Sequence, residues 1–408
     1  MSSWGQDDSI EIRTIRNFKD MFDKFFSLFS HDIGIDLGTA NTLVWVKGKG
    51  IVIREPSVVA MHRKTKKIIA IGLEAKRMIG KTPASIVTVK PLRGGVIADF
   101  DATCAMISHY IQMVHDVGNV LPAALSRPRV VIGIPSSVTE VERRAVWEAT
   151  LSAGAREAFL IEEPMAAAIG EDVSVFSPTG VMIVDIGGGT TEIAVISLGG
   201  IVVSRSIKVA GEDMDNAIIH YVRLRHGLLV GEKTAEDLKI SIGSAYQQVA
   251  SRRSQVAKSE SEERPIRQAQ GGQAQDKNQK DGEKQNPVAQ KMSIVRGRDI
   301  ETGLPKSLRI TESEVREALA PVVSQVIEAI ADVLEESPPE LTSDILEHGI
   351  VLTGGGSLLS GFDDLIIERT HIPVILSEDP LTSVVRGTGK VLEDSALLSR
   401  VKVVGGLK

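Results

Sequence analysis

Cysteine is nearly absent from this chain: Cys104 is the only one in 408 residues. A single thiol cannot form an intrachain disulfide, so a reducing compartment is expected. Excess positive charge is missing as well. The 47 Lys and Arg are outnumbered by 53 Asp and Glu, for a net charge of −6, so a nucleic-acid partner has no global electrostatic support. The eight histidines are scattered, with no cysteine at the spacing of a zinc site. No apolar run reaches the roughly eighteen residues of a membrane-spanning helix. The N-terminus lacks the apolar run and small-residue cleavage site of a secretory signal. No complete Gly-x-x-x-x-Gly-Lys-Ser/Thr loop occurs, which excludes that class of nucleotide site. A cytoplasmic protein is expected.

What is present is enough apolar residue for more than one core. Hydrophobic residues make up 42% and charged residues 25%, an ordinary globular balance, and a chain of this length divides into two or more domains. Residues 1–31 form a polar leader and an aromatic-rich segment. Residues 32–247 and 293–395 alternate short β-branched runs with helical patterns, which reads as α/β. Between them, residues 251–291 are rich in Gln, Lys, Ser and Glu, include Gln270-Gly271-Gly272-Gln273, and are expected to be disordered.

An internal repeat carries the functional signal. Asp32-Ile33-Gly34-Ile35-Asp36 reads as a buried strand ending in the turn Leu37-Gly38-Thr39-Ala40-Asn41-Thr42, followed by Leu43–Val46, a glycine turn and Ile51–Ile53. The second copy is Val181–Asp185, the turn Ile186-Gly187-Gly188-Gly189-Thr190-Thr191, then Ile193–Ile196, a glycine turn and Ile201–Val203. Each is a β-meander with an acid at its first turn. Glycine admits close backbone approach, and successive N–H groups in such a turn form an anion nest. Thr39, Thr190 and Thr191 add hydroxyls, Asn41 adds an amide, and Asp36 and Asp185 are hard oxygen ligands suited to magnesium that keeps its water. One turn per half clamps a polyphosphate from both sides. A dinucleotide fold would need a helix straight after Gly187-Gly188-Gly189, whereas Glu192–Ile196 reads as a strand. A third run, Thr353-Gly354-Gly355-Gly356-Ser357, sits between a strand and a helical pattern, where a base or phosphate can approach the backbone.

These motifs resemble the phosphate-1, phosphate-2 and adenosine motifs of the actin and heat-shock ATPase superfamily, and within it the MreB family. Glu55-Pro56-Ser57-Val58, Gly95–Phe100, Glu162-Glu163-Pro164-Met165-Ala166-Ala167-Ala168-Ile169-Gly170 and Pro338-Pro339-Glu340-Leu341 are similar to that family in particular. The resemblance covers about residues 32–250 and 293–393. It implies an actin-like ATPase fold, with two similar domains around a nucleotide cleft and a smaller subdomain on each. Domain I is expected at 32–178 with 380–408 (small subdomain about 59–94), and domain II at 179–379 (small subdomain about 213–308). It further implies a membrane-associated cytoskeletal ATPase that binds ATP, or GTP, with Mg2+, polymerises with itself, and works with cell-wall elongation proteins to keep rod shape. Glu163 aligns with the acid that polarises the attacking water and Thr190 with the residue that positions it. Gly38, Thr39, Ala40, Asn41, Gly187, Gly188, Gly189, Thr190 and Thr191 fall at the phosphates, while Glu236, Lys239, Gly354, Gly355, Gly356 and Ser357 fall at the nucleoside. Slow turnover follows from the lack of an evident arginine finger. The insertion at 251–291 departs from the family, whose equivalent loop is shorter.

Ahead of the first strand, Ile15, Phe18, Phe22, Phe25 and Phe29 recur at helical spacing, and Phe26 widens the stripe. With Arg13, Arg16, Asp20, Asp23, Lys24 and Ser27 on the other side, this suits a helix lying on the inner face of the cytoplasmic membrane, the alternative being a helix packed on its own domain. Val120–Leu125 is a second candidate insertion point. Three rival functions remain, of which a non-hydrolysing structural homologue is disfavoured because Glu163, Thr190, Asp36 and Asp185 are all present. A small-molecule kinase would need an acceptor-site base, and none is identified. A chaperone ATPase would need a peptide-binding domain, yet only a short tail follows Val391.

Overall fold

The computed structural model describes residues 30–116, 127–246 and 291–401. The leader with Phe18–Phe29, the 120–125 loop and nearly all of the 251–291 tract lie outside the described residues. The chain begins with the expected meander: β1 (Ile33–Leu37), β2 (Asn41–Val46) and β3 (Gly50–Pro56), paired antiparallel in turn. A three-stranded sheet follows, β4 (Val59–His62), β5 (Ile68–Ile71) and β6 (Ile86–Val89), in the order β5-β4-β6. The short pair β7 (Leu92–Arg93) and β8 (Val96–Ile97) leads into the helix Phe100–Asp116. Then β9 (Arg129–Ile134) returns parallel to β1, and β10 (Glu157–Glu162) lies parallel to β9, completing the sheet β10-β9-β1-β2-β3. The helix between β9 and β10, Glu140–Ser152, starts from a capping box. Thr139 Oγ1 accepts from Glu142 N–H, and Glu142 Oε2 accepts from Thr139 N–H.

The second half repeats this topology. β11 (Val181–Ile186), β12 (Thr191–Ser197) and β13 (Gly200–Ile207) form the meander. The small sheet β14-β15-β16 follows, built from β14 (Leu228–Leu229), β15 (Met292–Asp299) and β16 (Pro305–Thr311). Finally β17 (Ile350–Thr353) and β18 (Val374–Leu376) add in parallel, giving β13-β12-β11-β17-β18. In both halves the central strand, β1 or β11, has a meander on one side and two parallel strands on the other. Such a strand is buried on both faces, which explains the unbroken apolar runs around Gly34 and in Val181–Val184.

The halves join through two helices. Every residue of Glu163–Gly170 is buried. It packs on Ser383–Glu393 within one apolar cluster that holds Val131 and Ile161 of the first sheet together with Ile183, Ala194 and Ile196 of the second. Small residues allow this crossing to close backbone to backbone. A Cβ added to Gly387 would overlap the carbonyl oxygen of Ala166, and one on Gly170 would overlap that of Ser383. Overfilling such a contact costs about 1–3 kcal/mol. Gly387→Ala is therefore expected to lower the unfolding temperature clearly. Gly200→Ala should shift it little, because its nearest neighbour to an added Cβ is Ser197 O at 3.9 Å. Parallel thermal melts of the two variants check this.

Candidate nucleotide site

Both aspartate turns sit at the carboxyl ends of the central strands, where the two sheets face each other. Asp36 closes β1 and is half-buried, and Asp185 closes β11 and is buried. The first turn is too tight for a side chain at Gly38, where a Cβ would come 2.7 Å from Asn41 O. The two turns touch: a Cβ on Gly188 would meet Ala40 Cβ at 2.5 Å, and one on Gly189 would meet Thr39 Oγ1 at 2.6 Å. The third glycine run converges on the same place. Gly354 has φ +82°, and a Cβ there would strike Ile186 O and Asp185 Oδ1. Thr353 Oγ1 donates to Asp185 Oδ1 at 3.1 Å, and Ser357 Oγ donates to Gly354 O at 2.6 Å. The helical pattern expected after this run begins as a 3-10 turn, Gly355–Leu358, with the α-helix starting only at Phe362.

The second turn is braced by the helix Gly211–His226. Its first amides donate to the turn carbonyls, Gly211 N–H to Gly187 O at 3.2 Å and Glu212 N–H to Gly188 O at 2.7 Å. Thr191, expected from sequence on the phosphate face, lies beside this bracing. It is fully buried, and its hydroxyl donates to Val209 O at 2.7 Å. Thr39 and Thr190 remain as the hydroxyls of the two turns, each buried at the meeting point, while Asn41 is exposed at the start of β2.

Glu163 is the first residue of the buried crossing helix. It stands among other acids, and their proton affinities rise together. Burial, then the charge of Asp185, pushes Asp36 up to about 8. Burial pushes Asp185 up to about 7, with Glu192 adding to the rise and the Thr353 hydrogen bond opposing it. Glu163 is raised well above the ordinary carboxylate range by burial, then by Glu192, Asp36 and Asp185. Among the described residues no lysine or arginine counters these three acids. No group of three metal-ligating side chains occurs there either. The donor set fits a divalent ion that takes most of its ligands from phosphate and water.

Several residues of the site carry no motif of their own. Glu192, opposite Asp185 in the β11–β12 ladder, is 1% exposed and accepts from both the N–H and the hydroxyl of Ser136 in the first half. Toward the outer mouth, Lys90 lies 2.7 Å from Glu212 and 3.4 Å from Glu232, across the cleft. Glu236 and Lys239 lie on the helix Glu232–Ile242, as expected, but each pairs elsewhere. Glu236 meets Lys76 of the first half at 3.0 Å. Lys239 lies 2.8 Å from Asp215 and donates to Gly211 O at 2.8 Å. Beside these bridges is a cavity of about 300 Å³, walled by Val58, Val89, Lys90, Glu212 and Asp215.

Known proteins are similar to this chain in sequence and fold. The family model of MreB/Mbl protein matches residues 30–264 and 271–400. The cell shape-determining protein MreB of Escherichia coli (strain K12) is 46% identical over 377 residues, covering 91% of this chain and 96% of that protein. Among solved structures, MreB5 of Spiroplasma citri bound to ADP is 34% identical with a TM-score of 0.76, covering 91% of this chain and 98% of that one. A MamK double helical filament, 20% identical with a TM-score of 0.67 and covering 90% and 99%, shares the actin-like fold. The chain belongs to the MreB/Mbl family.

Proposed function

We propose that this chain is a membrane-apposed, actin-like ATPase whose filaments direct cell-wall elongation and so maintain rod shape. One observation carries the catalytic part: two aspartate turns from repeated halves meet over buried acids that have no basic partner among the described residues. A polyphosphate with its cation supplies the missing counter-charge. The solved relative bound to ADP supports an adenine nucleotide as that ligand, with GTP the alternative. Self-assembly and cell-shape control follow from membership of the family, and the Phe18–Phe29 leader supports the membrane.

In this reading the backbone N–H groups of Gly38–Asn41 and Gly187–Thr190 cradle the phosphates, helped by the Thr39 and Thr190 hydroxyls. Glu236, Lys239 and Gly354–Ser357 hold the nucleoside. Asp36 and Asp185 would hold a magnesium ion through water, and that ion would supply counter-charge to the phosphates. Glu163 orients a water for in-line attack on the terminal phosphorus and accepts its proton, a task favoured by its raised proton affinity. Thr190 fixes the other side of that water. Domain boundaries near residues 178 and 380 are consistent with the crossing helices acting as the joint.

Glu163→Ala is expected to bind a fluorescent ATP analogue with little change in affinity and still to pellet as polymer. Its release of inorganic phosphate should fall by about a hundredfold, the scale of losing one general base. Wild-type release from the variant would remove Glu163 from this role. A pH dependence follows from the same acids. Their folded-state pKa values are raised, so the nucleotide-free folded protein holds more protons than the unfolded chain between about pH 4 and 8, and stability falls as pH rises through that window. Scanning calorimetry should give a lower melting temperature from this cluster at pH 8 than at pH 6. Mg2+ and nucleotide should remove most of the difference. An Asp36→Asn/Asp185→Asn variant with the same pH slope as wild type would contradict the assignment.

A further inference from the structure

Gly133, Pro135 and Ser136, at and just past the end of β9, lie against three parts of the site. At Gly133, an added Cβ would sit 3.4 Å from Glu163 Cγ. Pro135 packs on Gly95, where an added Cβ would lie 2.6 Å from Pro135 Cγ and 3.0 Å from Thr190 Cγ2. Gly95 N–H in turn donates to Thr39 Oγ1 at 3.3 Å. Ser136 donates twice to Glu192 Oε2, from its N–H at 3.1 Å and its hydroxyl at 2.7 Å. The other oxygen, Glu192 Oε1, is anchored within the second sheet by the hydroxyl of Ser206 on β13.

Glu192 is therefore fastened to its own half by one donor and to the opposite half by two. If the cleft opens, a carboxylate that is 1% exposed gives up two of these three hydrogen bonds. Unsatisfied buried acceptors are costly, so this residue favours the closed arrangement. Closure also sets Pro135, through Gly95, against Thr190 of the second half, and Glu163, held next to Gly133 by the β9–β10 ladder, is carried toward that turn with it. The outer bridges Lys76–Glu236 and Lys90–Glu212 span the mouth of the cleft. The Ser136–Glu192 contact spans its floor, beside the proposed chemistry.

We propose that Glu192, clasped by Ser136, is a positioning residue that couples cleft closure to the placement of Glu163, so that hydrolysis depends on the clasp and nucleotide affinity does not. The clasp rests on the nucleotide-hydrolysis reading for its kinetic consequence, while its closure can be measured without turnover. The variants are Glu192→Ala, Glu192→Gln and Ser136→Ala in the full chain. The readouts are affinity for a fluorescent ATP analogue, single-turnover phosphate release, and amide exchange of residues 134–138 with and without Mg-AMPPNP.

Glu192→Ala should bind within about twofold of wild type and release phosphate at least about tenfold more slowly, since a small misplacement is enough for such a loss. Glu192→Gln should recover most of the rate, because its amide oxygen still accepts from Ser136 and its NH2 can donate to Ser206. Ser136→Ala keeps the N–H and should lose about threefold, the scale of one hydrogen bond. AMPPNP should protect 134–138 in wild type and in Glu192→Gln, but not in Glu192→Ala. Wild-type release from Glu192→Ala, equal losses in the Gln and Ala variants, or a fall in affinity that matches the fall in rate would each overturn the proposal. A wild-type protein that binds nucleotide without releasing phosphate would sink the hydrolysis reading instead, and the exchange data would still decide the clasp. Should Glu192→Ala fail to fold, Ser136→Ala and Glu192→Gln carry the test.

Discussion

Asp36, Asp185, Glu163 and Glu192 lie where two sheets face one another, and burial there penalises every negative charge they carry. Asp185 raises the proton affinity of Asp36, Glu192 raises that of Asp185, and all three raise that of Glu163. Serine and threonine hydroxyls soften the effect at Glu192 and Asp185 only. A fold that evolved only for stability would replace such a group with apolar side chains or pair it with bases. Here the acids stand at the ends of β1 and β11, the strands on which each half is organised, and at the first turn of the helix that joins the halves. The cluster is thus built into the architecture, and in the proposed function its cost is offset by a cation and a polyphosphate that enter between the turns.

The geometry of closure follows from this. The glycine turns lie in contact, with Gly188 on Ala40 and Gly189 on Thr39, so they can grip a group placed between them only by small relative movement of the two halves. The crossing of Glu163–Gly170 with Ser383–Glu393 leaves no room for side chains at Gly170 or Gly387 and gives that movement a tight joint. Salt bridges on half-exposed side chains, such as Lys76–Glu236, contribute little stability singly. Their place across the mouth makes them markers of the closed state more than its cause.

Much of this was legible in the chain. The duplicated strand–turn–strand pattern declared two like halves because short apolar runs and glycine turns are local signals. The two aspartates declared themselves by ending apolar runs. Other features depend on partners far away in sequence. Nothing near Ser136 announces that it meets Glu192, 56 residues on, and Glu192 hides within a wholly buried strand. Lys239 and Glu236 share a helix face, yet their charges are answered by Asp215 and by Lys76 of the opposite half. Thr191 reads as a phosphate donor by its place beside Thr190. The structure buries it, and Val209 O accepts its hydroxyl's hydrogen bond. The leader and the 251–291 tract were read from composition alone.

The most direct test of the buried-acid cluster is proton release on ligand binding. Titration calorimetry of Mg-AMPPNP at pH 7, repeated in buffers of different ionisation enthalpy, counts the protons exchanged on complex formation. Asp36 and Asp185, with pKa values near 8 and 7 in the free protein, are partly protonated at that pH and should ionise against the ligand's cation. Release of about one proton per site is the expected result, lost in an Asp36→Asn/Asp185→Asn variant. Binding heats that do not change with buffer would mean that these acids are already charged without ligand, and would contradict the role given to the cluster.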